Sequence, residues 1–536
     1  MKRERLPKVI FDVLGVFFPA LNYRAAFRAR WGRPGDGNAF RASWYFDLIR
    51  KQLSRAAVVD NKTWSDLEFP RFFTALDTTI TAIGRQYLFA QLRTCEYNKD
   101  VLERRYHDYG ILKANRELRE RIQLTLKPLE LDSVASVADL LLNPHLERVP
   151  YSGLCVPLML LAVGALLCAV THLAPLWLCA IPIVINMSIA WRTEANLGRN
   201  VDALLDCGRM VGVANRIAAI QTDESLSCLS QLAAQTQLRK ELRAQIKWLW
   251  AVDILRIFTS IFNFLFLLKL TLYAHAIDRF EKSRTRWLST FQMIGAIDAA
   301  IAVAGFLSQF PEHCRPNVVS EPLIAIRNGY HPLVAKPVKN SVRLAHCSAL
   351  VTGSNMTGKT TFIKMVAINV VLGHTLGICL ADQATLPRSP VRALIRGDQS
   401  VEEGKSRYFA EAEAIRDYIA ESALGECGIF ILDEPFSGTN TAERIAIAKA
   451  VLRAIATSAQ CLVTTHDVEL QHLLGEKFEL FYFQEDPAVE GFFDHRLYAG
   501  ASTQRNAIRV LERLGYPAGI ITEALATVPA VERTLS

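Results

Sequence analysis

"TGSNMTGKTT", residues 352–361, decides how the C-terminal part of this chain is read. Gly353, four residues, then Gly358-Lys359-Thr360 make the spacing of a loop that cradles phosphates. Glycines let the backbone curl until successive N–H groups face phosphate oxygens, and the following helix adds its positive N-terminal end. On this reading Gly353, Ser354, Asn355, Met356, Thr357, Gly358 and Thr361 line the loop. Lys359 reaches the β- and γ-phosphates, and the Thr360 hydroxyl ligates Mg²⁺. "CSALVTG" (347–353) before the loop has the pattern of a short buried strand. "TFIKMVAINVVLG" (361–373) after it has helical periodicity and ends on Gly373, a C-cap residue.

Two more strand-like runs fit the same chemistry. "GIFILDEP" (428–435) is an apolar run ending in two carboxylates, as a strand buried on both faces would. Asp433 then sits beside the Mg²⁺, and Glu434, one residue on, orients or deprotonates the attacking water. "CLVTTH" (461–466) ends on His466, in the order expected of a γ-phosphate sensor. From about residue 315 to 536 short strands and helices alternate, which predicts an α/β nucleotide domain with a largely parallel sheet.

The 536 residues are enough for several domains. A net charge of +8 is a mild excess, compatible with nucleic acid or anionic lipid. Residues 1–60 read as a basic, mostly helical region, and 61–148 and 192–314 as further helical regions. The 11 cysteines form no C-x-x-C pair, which argues against a zinc site or a disulfide framework and for a reducing compartment.

Residues 149–191 carry no Asp, Glu, Lys or Arg. "LCVPLMLLAVGALLCAVTHL" (154–173) and "APLWLCAIPIVINMSIAW" (174–191) are each about the length of a bilayer-crossing helix, joined at His172, Ala174 and Pro175. Arg148 and Arg192 bracket the pair, as if both ends face the cytoplasm. The expectation is a transmembrane hairpin in contact with lipid; the alternative is a helical hairpin buried in a soluble core. The N-terminus lacks the apolar core and small-residue site of a cleavable signal peptide. A third apolar segment, 254–277, is interrupted by Arg256, Asn263 and Lys269, and could span, lie at the interface or be a core helix.

Five ordered motifs resemble the MutS family of mismatch-repair ATPases. "TGSNMTGKTTFIK" resembles its phosphate loop, "LDEPFSGTNTAERIAIAKAVL" its acidic strand and following helix, and "TTHDVEL" its switch segment. "GDQSVEEGKSRYFAEA" (397–412) resembles its signature stretch, and "NGYHPLV" (328–334) the segment opening its ATPase domain. Upstream, "FFTALDTTITAIGRQYLFAQLR" (72–93) resembles the start of its core domain. The resemblance implies an ABC/MutS-type P-loop domain preceded by a mostly α-helical core and lever region. It implies ATP and Mg²⁺ as cofactors, hydrolysis, and nucleotide contact by His331. It also implies a homodimer with composite sites, in which Gly404 and Ser406 face the partner's γ-phosphate; Lys405 and Arg407 are alternatives.

Departures accompany it. Ser354 and Thr357 stand where the family usually has Pro and Gly, and Thr360 where it has Ser. Too few residues precede the core for the mismatch-recognition domain, and no Phe-x-Glu wedge occurs in them. Two functions are therefore expected in competition: a DNA-binding, membrane-associated MutS-type ATPase, or a membrane-anchored mechanochemical ATPase without mismatch recognition. Both imply the inner (cytoplasmic) membrane, with the ATPase domain in the cytoplasm. A transporter subunit fits less well, because the apolar segments are few and "GKSRYF" is a poor Leu-Ser-Gly-Gly-Gln.

Overall fold

The computed structural model describes residues 19–35, 42–130, 137–143, 152–173, 175–223, 226–234, 240, 267–354, 356–395, 407–425, 428–485, 493–501, 511 and 515–535. The chain forms two compact units. The first comprises 1–52, 74–90 and 107–309; the second comprises 53–73, 91–106 and 310–536.

The described part of the first unit is helical. Its core runs along the helix Arg284–Leu307, where Trp287, Phe291, Ile294 and Ile301 are buried. Asp298 sits among them and is fully buried. Its carboxylate accepts from the Ile80 amide at 3.1 Å, the Thr81 amide at 2.8 Å and the Thr81 hydroxyl at 2.7 Å. These groups lie at the start of the helix Ala82–Arg93, so Asp298 caps that helix from another part of the chain. The approach requires a glycine at position 84, since a Cβ there would lie 2.2 Å from Asp298 Oδ2. This is the physical content of the Asp-Thr…Gly pattern at 77–84. Asp77 supports the same turn by accepting from the Thr79 amide at 3.1 Å and Arg85 Nε at 2.8 Å.

The apolar stretch forms two helices, Ser152–Val170 and Leu176–Ala218, in contact with each other. The boundary expected at 191/192 falls inside the second helix, which runs unbroken for 43 residues. It does so because the apolar arm passes directly into an amphipathic stretch whose Leu204, Cys207, Val211, Ala214 and Ile217 are buried. Among the described residues two helices are long and apolar enough to cross a membrane, Gly153–Val170 and Arg284–Leu307. Only 11% of the first is buried, against 89% of the second. The second is thus a core helix, and the first shows its side chains to the outside. Of the segment 254–277, residues 254–266 lie outside the described residues. The remainder begins the helix Leu268–Lys282, with Tyr273, Ile277 and Phe280 buried.

The second unit is a mixed α/β domain. Its strands are β1 (Asn317–Val319), β2 (Leu323–Gly329), β3 (Asn340–Ala345), β4 (Ser348–Thr352), β5 (Gln383–Pro387), β6 (Val391–Leu394), β7 (Ile429–Asp433), β8 (Gln460–Thr465), β9 (Phe478–Glu485) and β10 (Phe493–Ala499). One sheet has the order β1-β5-β2-β3 and the other β10-β9-β4-β8-β7-β6. In the larger sheet every neighbouring pair is parallel except β9 and β10. All residues of β4, β7 and β8 are buried, which is why those stretches read as continuous apolar runs.

Segments 53–73 and 91–106 belong to this unit, although the sequence grammar begins the α/β domain at about 315. The reason is the edge strand β6. The Ala393 amide donates to Thr63 Oγ at 2.9 Å and the Ile395 amide to Asp66 Oδ2 at 2.8 Å. The helix Asn61–Asp66 therefore satisfies an otherwise open sheet edge with side chains. Buried Arg392 pairs with Glu421 at 2.7 Å and Asp60 at 3.6 Å, and donates to the carbonyls of Arg55 and Val58.

Asp298 gives the first unit a pH signature. Burial raises its carboxyl from the ordinary 3.8 to about 6, against the donors at Ile80 and Thr81 that pull it down. Between those values the folded state keeps a proton that the unfolded state has released. Stability therefore falls as pH rises from about 4 to about 6, and levels off above. The urea midpoint should decline across that window, and Asp298→Asn, which cannot ionise, should remove the decline. An unchanged slope in the variant would assign the titration to another group.

Candidate functional site

In the larger sheet β8 lies between β4 and β7, all parallel, so the loops leaving their C-terminal ends converge. Those loops begin at Gly353, Glu434 and His466. The loop after β4 turns back through left-handed or otherwise positive φ at Gly353 (143°), Met356 (71°) and Gly358 (108°). At Gly353 a Cβ would meet the Phe483 carbonyl at 2.8 Å. Thr357 is buried, and its hydroxyl donates to the Ser354 carbonyl at 2.8 Å, closing the loop on itself. The helix Lys359–Thr375 starts directly behind Gly358. Asn355 and Ser406 lie outside the described residues, as do Gly404 and Lys405.

Lys359 is buried, and its ammonium donates to the carbonyls of Gly353 at 2.7 Å and Ser354 at 3.0 Å. It lies 3.9 Å from Glu434 Oε1 and 3.4 Å from both ring nitrogens of His466. The Thr360 hydroxyl donates to Asp433 Oδ2 at 3.0 Å, and the Thr464 hydroxyl donates to Asp433 Oδ1. His466 Nε2 pairs with Glu434 Oε1. The structure thus brings together Lys359, Thr360, Asp433, Glu434 and His466, from three separate stretches of chain.

The backbone aims these groups. Glu434 has φ of 48°, uncommon for a residue with a side chain. The conformation is held by its amide, which donates to the Thr464 carbonyl and hydroxyl, both at 3.1 Å. Behind His466, Asp467 accepts from Arg444 at 2.8 and 2.6 Å, a bidentate pair that anchors the segment to the helix Thr441–Ile455. The Phe436 amide donates to Glu411 Oε1 at 2.8 Å, tying the loop after β7 to the helix that follows the signature stretch.

Other expected residues stand differently. Met356 and Thr361 are exposed. His331 is buried, its Nδ1 accepts from the Leu333 amide at 3.2 Å, and its charged neighbours are Lys364, Glu68 and Arg71. Burial, with Lys364 adding to it, pushes its imidazole down to about 4, so it is neutral near pH 7. His495 joins the site without a motif to announce it. From β10 its Nδ1 lies 3.0 Å from the Thr357 carbonyl, and a Cβ at Gly358 would come within 3.2 Å of it. Its only sequence signal is a histidine in a late strand.

The residues present fit a magnesium-bound nucleotide. A buried cation at a helix N-terminus and a glycine-shaped cradle suit phosphate oxygens. A hydroxyl against a carboxylate suits a hard cation. Among the described residues no group of three or more His, Cys, Asp and Glu could hold a metal alone. A cation here would share Thr360 and Asp433 with the ligand's own oxygens.

Residues 349–532 match the family model described as MutS domain V. Over this stretch the chain is similar to MutS domain V. The DNA mismatch repair protein MutS of Sorangium cellulosum is 29% identical over 270 residues, 47% of this chain and 29% of that protein. That of Thermus aquaticus is 29% identical over 214 residues, 39% of this chain and 26% of that protein. That of Natronomonas pharaonis is 28% identical over 247 residues, covering 44% and 28%. The chain therefore matches less than a third of the length of these MutS relatives. The MutS domain V match contains every residue of the Lys359–His466 cluster, but not His331.

Lys359→Ala removes the cation that the loop carbonyls hold in place. Affinity for a fluorescent ATP analogue should fall by at least about 100-fold, in keeping with loss of a buried charge-assisted contact. Tight binding by the variant would remove the phosphate-loop assignment.

Proposed function

We propose that this MutS-family chain is an ATPase that hydrolyses Mg²⁺-ATP and works at the cytoplasmic membrane. The observation that carries the reading is the convergence of Lys359, Thr360, Asp433, Glu434 and His466 at the ends of β4, β7 and β8. Lys359 and the loop amides bind and orient the phosphates. Thr360 and Asp433 would hold the Mg²⁺, which would neutralise charge on the phosphate oxygens. Glu434 takes the proton of the attacking water, and His466, which pairs with it, holds its carboxylate in position. Ligand binding requires Lys359 to exchange the Gly353 and Ser354 carbonyls for phosphate oxygens.

The chain acts as two copies. The signature-like Gly404 and Ser406 carry this reading from the sequence, since a hydroxyl with nearby amides suits charge on a partner's γ-phosphate. The apolar hairpin supports the membrane setting. A second reading adds DNA. It is favoured by the relatives' names and by the helix Pro19–Arg30, which carries Arg24 and Arg30 besides Arg28, whose guanidinium pairs with Glu120.

Glu434→Gln should bind ATP normally and turn it over about 10²–10⁴-fold more slowly, since the amide keeps the shape but accepts no proton. Near-normal turnover would give the water to another residue. Ser406→Ala and Lys359→Ala chains should each be inactive, yet partly recover ATPase activity when mixed, because one site then joins an intact loop to an intact signature. Pairing without recovery would exclude the shared site.

A further inference from the structure

The hairpin is the largest feature that the nucleotide site leaves unused. Ser152–Val170 has 19 residues, about 28 Å of helix, close to the roughly 30 Å of bilayer hydrocarbon. Its outward side chains are apolar: Leu160 is 62% exposed, Leu167 61% and Val163 40%. The second arm continues the surface with Ile181, Val184, Ile185 and Met187, all exposed. So broad an apolar surface is far beyond what soluble chains show to water. Trp177 near the tip and Trp191 at the base, both largely exposed, stand about 21 Å apart along the helix. Aromatic residues at the two ends of a span suit the two membrane–water interfaces.

The polar side chains add an independent observation. The hydroxyls of Thr171, Ser188 and Thr193 donate to the carbonyls of Leu167, Val184 and Ile189, each four residues back in the chain. Asn186 is fully buried between the arms, and its Nδ2 donates across to the Leu158 carbonyl at 3.4 Å. Thr171 and Ser188 stand at exposed positions yet return their hydroxyls to their own helix, and Asn186 turns its Nδ2 to the opposite arm, as a surrounding without water requires. The Arg284–Leu307 helix, of similar length, hides its apolar face in protein instead.

We propose that residues 152–191 cross a phospholipid bilayer completely, with Asn186 clasping the two arms. The tip stands on one side, and Arg192, exposed at the base of the second arm, on the other. The occupant of the exposed face is the hydrocarbon of the bilayer, not a second protein. The inference rests on the membrane setting proposed above and commits it to a full crossing of fixed orientation. Because Leu176–Ala218 is one helix, the crossing arm is continuous with the stretch that buries Leu204, Val211 and Ile217 in the first unit. The anchor is thus a rod without an intervening loop.

The test reads location, so it stands apart from hydrolysis and survives a failure of the ATPase reading. A protease site is inserted between His172 and Leu173, and sealed vesicles are prepared with the ATPase domain outward. The tip should resist cleavage until detergent opens the vesicles. Cleavage in intact vesicles would overturn the crossing and leave at most a surface or re-entrant hairpin. As a second variant, Val163→Arg places a charge mid-arm at an exposed position. Its insertion equilibrium should fall on the order of 100-fold, read as loss of the carbonate-resistant membrane fraction. Unchanged carbonate resistance in Val163→Arg would also overturn it.

Discussion

The carboxylate of Asp433 is the point on which the α/β unit turns. It receives the hydroxyls of Thr360 and Thr464, so one side chain ties the end of β7 to the loop after β4 and to the end of β8. Parallel pairing alone would bring these three strand ends near each other. The two hydroxyl bonds fix them in register, and the Thr464 carbonyl and hydroxyl then hold Glu434 in its uncommon backbone conformation. Glu434 can face Lys359 and His466 only because that turn is held. The site geometry is a consequence of sheet order enforced by a small polar network in a buried setting, where unpaired groups would be costly.

The helical unit shows the same economy with different means. Asp298 is a carboxyl inside an apolar helix, and it persists because the start of the helix Ala82–Arg93 supplies the donors that meet it. The hairpin resolves the polar problem in the opposite way, by returning the hydroxyls of Thr171, Ser188 and Thr193 to carbonyls four residues back. Two apolar helices long enough to cross a membrane thus have opposite surroundings. Arg284–Leu307 carries a buried polar group with partners from elsewhere in the fold, while Gly153–Val170 presents a bare apolar surface.

Much of this was legible in the chain. The glycine-rich loop at 353–358, the acidic strand and the Thr-His segment are contiguous motifs, so their elements are readable from local sequence. The hairpin was legible because the absence of charge over residues 149–191 needs no knowledge of the fold. The membership of 53–73 and 91–106 in the α/β unit was not. Those residues are helical by local pattern, and only the open edge of β6 gives Thr63 and Asp66 their partners. His495 was equally silent, because its contact with the Thr357 carbonyl depends on β10 returning beside the sheet.

By itself the sequence determined which residues can do chemistry and in what order along the chain they occur. Spacing of glycines, a lysine and a hydroxyl is a local property, as is an uncharged apolar run. The tertiary structure alone decided which of these meet. It joined Thr360 to Asp433 and Glu434 to His466 through strand order, and it gave Gly84 its purpose through Asp298. It also set His331 against Lys364 and Glu68. The division follows from range: periodicity and spacing act over a few residues, whereas these pairings join positions far apart in the chain, which only folding can bring within bonding distance.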